Sequence, residues 1–299
     1  WSTSDDLPTV GAYQSSRGGS YDAFVSVFDI SKTNKDTLVL GTFIGGTGQD
    51  MARTLAVDPS GAVWIGGLSF SSDFPTTVGA YKPFSSDAGD GFLAKLDMAG
   101  GKLLYSTYVG GSAFDEVKKL VIEPSGRIAA AGYTLSPNFP TTSNAAQPAY
   151  GGNSDAFLMI IDPQQADFTK ALIYSTFFGG SDGEVPYDLR RDTAGRYYLC
   201  GYTLSTDLRT TSGAIASSTA GQSIDGFVAG IDPRVSGSSA LFYGSYVTSP
   251  GYQIVQNIDV DRDGYLYVGG LSTGNVYVNG PTNRFGDGNP DGFLFVIQQ

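Results

Sequence analysis

Hydrophobic and polar positions alternate along this chain in short runs, and the runs recur in one order. An Asp-Gly/Ala-Phe triplet opens an apolar strand pattern at Asp22-Ala23-Phe24, Asp90-Gly91-Phe92, Asp155-Ala156-Phe157, Asp225-Gly226-Phe227 and Asp291-Gly292-Phe293, at spacings of 68, 65, 70 and 66 residues. An aromatic-rich strand follows over residues 38–44, 103–109, 172–178 and 241–247. The first three end in Gly-Gly (Gly45-Gly46, Gly110-Gly111, Gly179-Gly180), whereas the fourth has Thr248-Ser249. A further strand runs into an acid-x-x-Gly turn at Asp58 to Gly61, Glu123 to Gly126, Asp192 to Gly195 and Asp261 to Gly264. The last strand leaves that turn at once. A long connection closes the repeat, and it contains Asp73-Phe74-Pro75-Thr76-Thr77, Asn138-Phe139-Pro140-Thr141-Thr142 or Asp207-Leu208-Arg209-Thr210-Thr211.

Period-two alternation marks half-buried strands, and Gly and Asp supply the turns. No window shows helical periodicity with caps. Four short strands in every 65 to 70 residues predict an all-β fold, a β-propeller of four-stranded antiparallel blades. One blade cannot cover both its faces, so neighbours must stack. The prediction is a single domain over 1–299, with repeat units near 1–50, 51–115, 116–184, 185–253 and 254–299.

Four of these elements also carry a family resemblance. They are the Asp-Gly-Phe-Leu-Ala-Lys-Leu-Asp of residues 90–97, the Leu-Tyr-Ser-Thr-Tyr-Val-Gly-Gly of 104–111, the Ala-Val-Asp-Pro-Ser-Gly of 56–61 and the Phe-Pro-Thr-Thr of 74–77. Together they resemble the bacterial SBBP β-propeller repeat. The Val-Asp-x-x-Gly-x-Val/Leu-Tyr/Trp element is more distantly similar to NHL-type blades. The resemblance implies a secreted or surface protein of bacteria, and it implies no catalytic residues and no ligand.

The NHL-type analogy makes the strand before the acid-x-x-Gly turn the innermost of its blade. The chain then opens with two outer strands, near 22–29 and 38–44, and continues with whole blades near 51–110, 116–178 and 185–247. It ends with strands near 254–260, 265–271 and 292–297, making 17, one more than four blades need. Three expectations follow. The chain is a fragment of a larger ring, since Trp1 is no translational start. Or another subunit supplies the missing strands, with Phe293, Leu294, Phe295, Val296 and Ile297 as the exchange segment. Or the two N-terminal strands close a four-bladed ring and leave that segment surplus. Head-to-tail donation that does not close builds a fibre.

Composition narrows the function. Eighteen basic against 29 acidic residues give a net charge of −11, which disfavours nucleic acid and anionic membrane as partners. No apolar run reaches membrane-span length. Low charge content, acidity and abundant Ser, Thr and Gly fit an extracellular protein. With no histidine there is no Ser-His-Asp triad and no usual zinc site, and no phosphate-binding Gly-rich loop is present. The single cysteine, Cys200, lies in an apolar strand pattern and reads as core. The expectation is a protein that is not an enzyme and needs no cofactor, with calcium the one candidate ion.

That candidate is Asp259, Asp261 and Asp263, spaced like the start of a calcium loop, although Gly270 stands where an EF-hand has its bidentate Glu. The competing reading is an Asp-capped turn. A second constellation is Asp50, Asp115, Glu116, Asp182 and Glu184, with Gln253 at the last repeat. Topology places these beside the Gly-Gly turns, as an acidic ring for a cation or basic group or as turn caps. The long connections, near 1–21, 70–90, 135–154, 204–224 and 272–290, are the expected recognition surface for glycan or an extracellular protein. Tyr81 and Tyr150 could stack on sugar or pin their own loops, and Phe74, Phe139 and Trp64 read as packing residues.

Overall fold

The computed structural model describes residues 1–86, 88–99, 101–220, 224–274 and 290–298. Its strands are β1 (Ala23–Phe28), β2 (Leu38–Ile44), β3 (Asp50–Val57), β4 (Val63–Ser69), β5 (Asp90–Asp97), β6 (Lys102–Val109), β7 (Asp115–Ile122), β8 (Ile128–Thr134) and β9 (Asp155–Ile161). They continue as β10 (Leu172–Phe178), β11 (Glu184–Arg191), β12 (Tyr197–Thr203), β13 (Asp225–Ile231), β14 (Leu241–Val247), β15 (Gln253–Val260), β16 (Leu266–Ser272) and β17 (Asp291–Ile297). The fold is all-β, built of antiparallel meanders. The sheets run β1-β2, β3-β4-β5-β6, β7-β8-β9-β10, β11-β12-β13-β14 and β15-β16-β17. These boundaries match the phase expected from the repeat.

β17 pairs along the whole of β16, from Leu266 opposite Ile297 to Ser272 opposite Asp291, and so takes the edge of β16 that closure into four blades by the N-terminal strands would need. β1 and β2 make a sheet of their own. Of the last long connection, residues 275–289 lie outside the described residues.

The chain divides into two compact units, one of residues 1–129 and 161–173, the other of 130–160 and 174–299. In the first, the β1-β2 sheet lies face to face on the β3–β6 sheet. Ala23, Val25 and Ile44 meet Val63, Ile65, Phe92, Ala94, Leu96 and Tyr108, with Phe74 from the long connection in the same cluster. β7 packs across β3, β4 and β5. In the second unit, β15 lies across β11, β12 and β13. There Tyr198, Cys200, Val228 and Val247 meet Val255, Ile258, Leu266, Val268 and Phe295. Each Val, Leu, Ile or Phe among them contributes about 1.5–3 kcal/mol by leaving water, which is why one sheet needs a neighbour on its face.

Local devices repeat as regularly. The acid-x-x-Gly turns hold Gly61, Gly126, Gly195 and Gly264 at φ 85°, 86°, 89° and 86°, a conformation open to glycine at little cost. The acid caps the turn: Asp58 Oδ1 accepts from the backbone amides of Ser60 and Ala62 at 2.9 and 3.0 Å. β3, β11 and β15 each carry a register shift at the same place, between Ala52 and Thr54, Pro186 and Asp188, and Val255 and Asn257. Such bulges bend and twist a strand locally.

Candidate functional site

The Gly-Gly turn gathers most of the buried charge. The first residue of β3, β7 and β11 is an acid, and its carboxylate accepts from the amide of the second turn glycine. The pairs are Asp50 with Gly46 at 2.8 Å, Asp115 with Gly111 at 2.7 Å and Glu184 with Gly180 at 2.9 Å. In the last repeat Gln253 Oε1 does the same for Ser249 at 3.0 Å. All four side chains are buried.

On the other side of the first turn glycine stands the Asp of the recurring triplet, which opens β5 and β9 and directly precedes β1. A Cβ built on Gly45 would lie less than 3.0 Å from carboxylate atoms of both Asp22 and Asp50. Gly110 is held the same way between Asp90 and Asp115, and Gly179 between Asp155 and Glu184. The glycine is there because two carboxylates close on its backbone. These partner acids bind the long connection in turn. Asp22 accepts from Gly18 and Gly19, Asp155 from Gly151 and Gly152, and Asp90 from Ser86 and Lys82.

Facing carboxylates in a buried place resist joint ionisation. Burial pushes the Asp155 carboxyl up to about 7, the neighbouring Glu184 adds to the rise, and the amides of Gly151 and Gly152 only partly oppose it. Burial likewise raises Glu184, and it raises Asp50 with help from the charge of Asp22. Asp225, which accepts from the Thr248 hydroxyl, is also raised by burial. In the second repeat the Lys82 ammonium meets the Asp90 carboxylate, where Gln14 and Gln147 donate to Asp22 and Asp155 in the first and third.

Of the five acids singled out from sequence, Asp50, Asp115 and Glu184 thus occupy equivalent places, each pointed at a turn. Glu116 points elsewhere and ion-pairs with Arg53 at 2.5 Å. Asp182 is half-buried and accepts from Asn153 Nδ2 at 3.0 Å. The acids that sequence reasoning passed over are Asp22, Asp90, Asp155 and Asp225. Their signal was present, since each is the first residue of the recurring triplet, but it read as a repeat marker.

The acidic turn at 259–264 gathers no ligand set. Asp261 Oδ1 accepts from the amides of Asp263 and Tyr265, both at 2.9 Å, while its Oδ2 accepts from the Tyr267 hydroxyl. Asp259 reaches toward Arg190, 3.5 Å away, and Asp263 is exposed. Among the described residues no group of three or more His, Cys, Asp or Glu side chains is arranged to hold a metal ion.

The long connections are pinned by their aromatics. Phe74 packs tilted against Phe92 with ring centroids 4.5 Å apart, and Phe139 stacks on Phe157 at 4.4 Å. Tyr150 packs edge-on against Phe177 and donates its hydroxyl to the Asn153 carbonyl. Tyr81 is half-buried, and burial lifts its hydroxyl to about 12. The most exposed apolar groups described on these segments are Val78 and Phe84. Cys200 and Trp64 are buried in the core. The segment Phe293 to Ile297 lies in β17, with Phe295 buried and Leu294 and Val296 exposed.

No family model matches the chain. Regulatory protein FlaEY of Caulobacter vibrioides is 32% identical over 111 residues, which are 36% of this chain and 10% of that protein. The match therefore spans about a tenth of the length of that relative.

Proposed function

We propose that this chain is a β-propeller module of a secreted or cell-surface bacterial protein, structural or adhesive rather than enzymatic, that assembles with further copies of itself. The propeller reading is supported by the stacking within each unit, where the first strand of one sheet lies against the first strand of the sheet before it. β7 lies on β3, and β15 on β11. The SBBP-like motifs and the acidic charge support an extracellular setting. The turn carboxylates support a non-catalytic role, because Asp50, Asp115 and Glu184 are shut from solvent and each has one oxygen held by a turn amide.

One observation carries the assembly reading. β5 and β13 are flanked on their outer edges by β6 and β14, whereas β17 has no strand on that edge among the described residues. Leu294 and Val296 of β17 are 75% and 50% exposed. An open edge with apolar side chains invites strand addition. A strand of the β2 type from a second copy fits, being the same repeat element as β6 and β14. Light scattering over a range of concentrations tests this. Oligomers or filaments are expected, and Leu294→Lys should dissolve them. Purely monomeric chains at every concentration would overturn the reading.

A second reading rests on Val78 and Phe84, which stand 106% and 77% exposed on the connection between β4 and β5. Apolar groups presented on a rigid scaffold suit recognition of a glycan or a protein. The Caulobacter relative is named as a regulator, and a scaffold without catalytic groups regulates by binding. A glycan array and a pull-down with the Val78→Ser/Phe84→Ser double variant test it. Unchanged capture by the variant would count against these residues.

A further inference from the structure

The fourth repeat departs from the second and third at one point of its long connection, where the first has Leu7-Pro8. Where the second and third have Phe74-Pro75 and Phe139-Pro140, the fourth has Leu208-Arg209. In the second and third repeats the phenylalanine ring packs on the triplet phenylalanine, Phe92 or Phe157. Leucine offers no ring, and the triplet residue Phe227 instead meets Phe178, with centroids 5.2 Å apart. Beside this rearranged contact the second unit holds a cavity of about 300 Å3. Ala146, Phe178, Ile231 and Leu241 form its apolar wall, and Arg209 and Gln147 stand on its lining as the polar groups.

The two polar groups differ in what they have left to give. The Gln147 amide is committed: it donates to Asp155 and to the Ala149 carbonyl, and its oxygen accepts from Gly179. The Arg209 side chain is exposed and has no hydrogen-bond or ion-pair partner among the described residues. An unneutralised guanidinium is notable in a chain of net charge −11. Guanidinium holds carboxylate through paired N–H donors, and apolar walls hold the hydrocarbon behind it.

We infer that this cavity is a binding site for a small amphipathic carboxylate, its hydrocarbon body against Phe178, Ile231 and Leu241 and its carboxylate on Arg209. The volume admits roughly ten non-hydrogen atoms, at about 30 Å3 for each water-sized group. A short-chain fatty acid or a small aromatic acid meets that limit. A sugar does not, because the wall offers its hydroxyls no partners. Strand assembly at β17 plays no part in this site.

The test is a methyl-resolved NMR titration of the full chain with hexanoate and, separately, hexan-1-ol. Saturable shifts at the Ile231 and Leu241 methyls are expected with hexanoate, while Ile65 and Leu96 of the other unit stay still. The alcohol should bind about tenfold more weakly, and Arg209→Gln should weaken hexanoate by about the same factor. Arg209→Pro restores the residue the earlier repeats carry and should behave likewise. Shifts that never saturate would overturn the proposal. So would a hexanoate affinity unchanged in R209Q, or equal to that of the alcohol, since either would leave a cavity indifferent to charge. The exposed position of Arg209 makes R209Q a fold-neutral probe, and unaltered amide spectra in its absence of ligand would verify that.

Discussion

At the scale of single residues, the glycine between two carboxylates is the most constrained position. Gly45→Ala would drive a Cβ into Asp22 and Asp50 at distances real side chains do not show. Overpacking of this kind costs about 1–3 kcal/mol. A urea denaturation midpoint lowered to that extent is expected, and an unchanged midpoint would mean that both carboxylates swing away freely. The same turns make stability depend on pH. Asp155 moves from an ordinary 3.8 to about 7 on folding, so the folded chain holds a proton that the unfolded chain has released. Stability from this group is therefore full below the ordinary 3.8, declines above it and is lost once pH has risen through about 7. Asp58 acts in the opposite sense. Partial burial alone would raise it, but Lys95 and the turn donors Ser60 and Ala62 hold it at about 2, so its contribution is lost as pH falls toward that value. Unfolding midpoints should peak in mildly acid buffer and be lower at pH 8 than at pH 5, and Asp155→Asn should shrink that difference. A wild-type midpoint rising steadily to pH 8 would contradict the proton on Asp155.

At the scale of elements, the outer strand and the long connection stabilise one another. The second threonine of each Thr-Thr pair bonds to that strand. Thr77, Thr142 and Thr211 donate backbone amides to the carbonyls of Ser106, Ser175 and Gly244. Tyrosines on β6 and β14 add a second tie. The Tyr246 hydroxyl accepts from the Leu208 amide at 2.7 Å and donates to the Ser205 carbonyl at 3.1 Å, and Tyr108 does the same for Phe74 and Ser71. Tyr246→Phe leaves the Leu208 amide buried without its partner, at a cost of about 1–3 kcal/mol. Thermal unfolding should register this loss, with faster hydrogen exchange at Leu208. Equal protection in the variant would show that the hydroxyl is not what holds the connection. The strand phase behind these ties was readable from sequence because turn glycines and strand alternation are local. Which hydroxyl meets which amide was not, because Tyr246 and Leu208 are 38 residues apart.

For the molecule as a whole, charge sets the terms of association. Copies of net charge −11 repel one another, and salt screens that repulsion over about 10 Å at 0.1 M. If β17 edges recruit strands from other copies, raising ionic strength should strengthen assembly, and scattering mass should rise with salt. Assembly that weakens with salt would point to ion pairs instead of apolar strand addition.

The number, type and order of the strands were determined by the sequence by itself, because a period-two pattern and a turn glycine act over a few residues and recur five times. The open ends of the count were legible for the same reason. Only the tertiary structure decided the rest. It placed β17 beside β16, which a strand pattern cannot do because backbone pairing is blind to where a strand comes from. It paired Asp155 with Glu184 and Asp22 with Asp50 around a glycine, because facing acids are far apart in the chain and are joined only when the sheet forms. It also set Arg209 on the lining of an apolar cavity, with no ion-pair partner for it among the described residues. A departure in sequence marks a place, but volume and charge balance arise only where the neighbouring strands close around it.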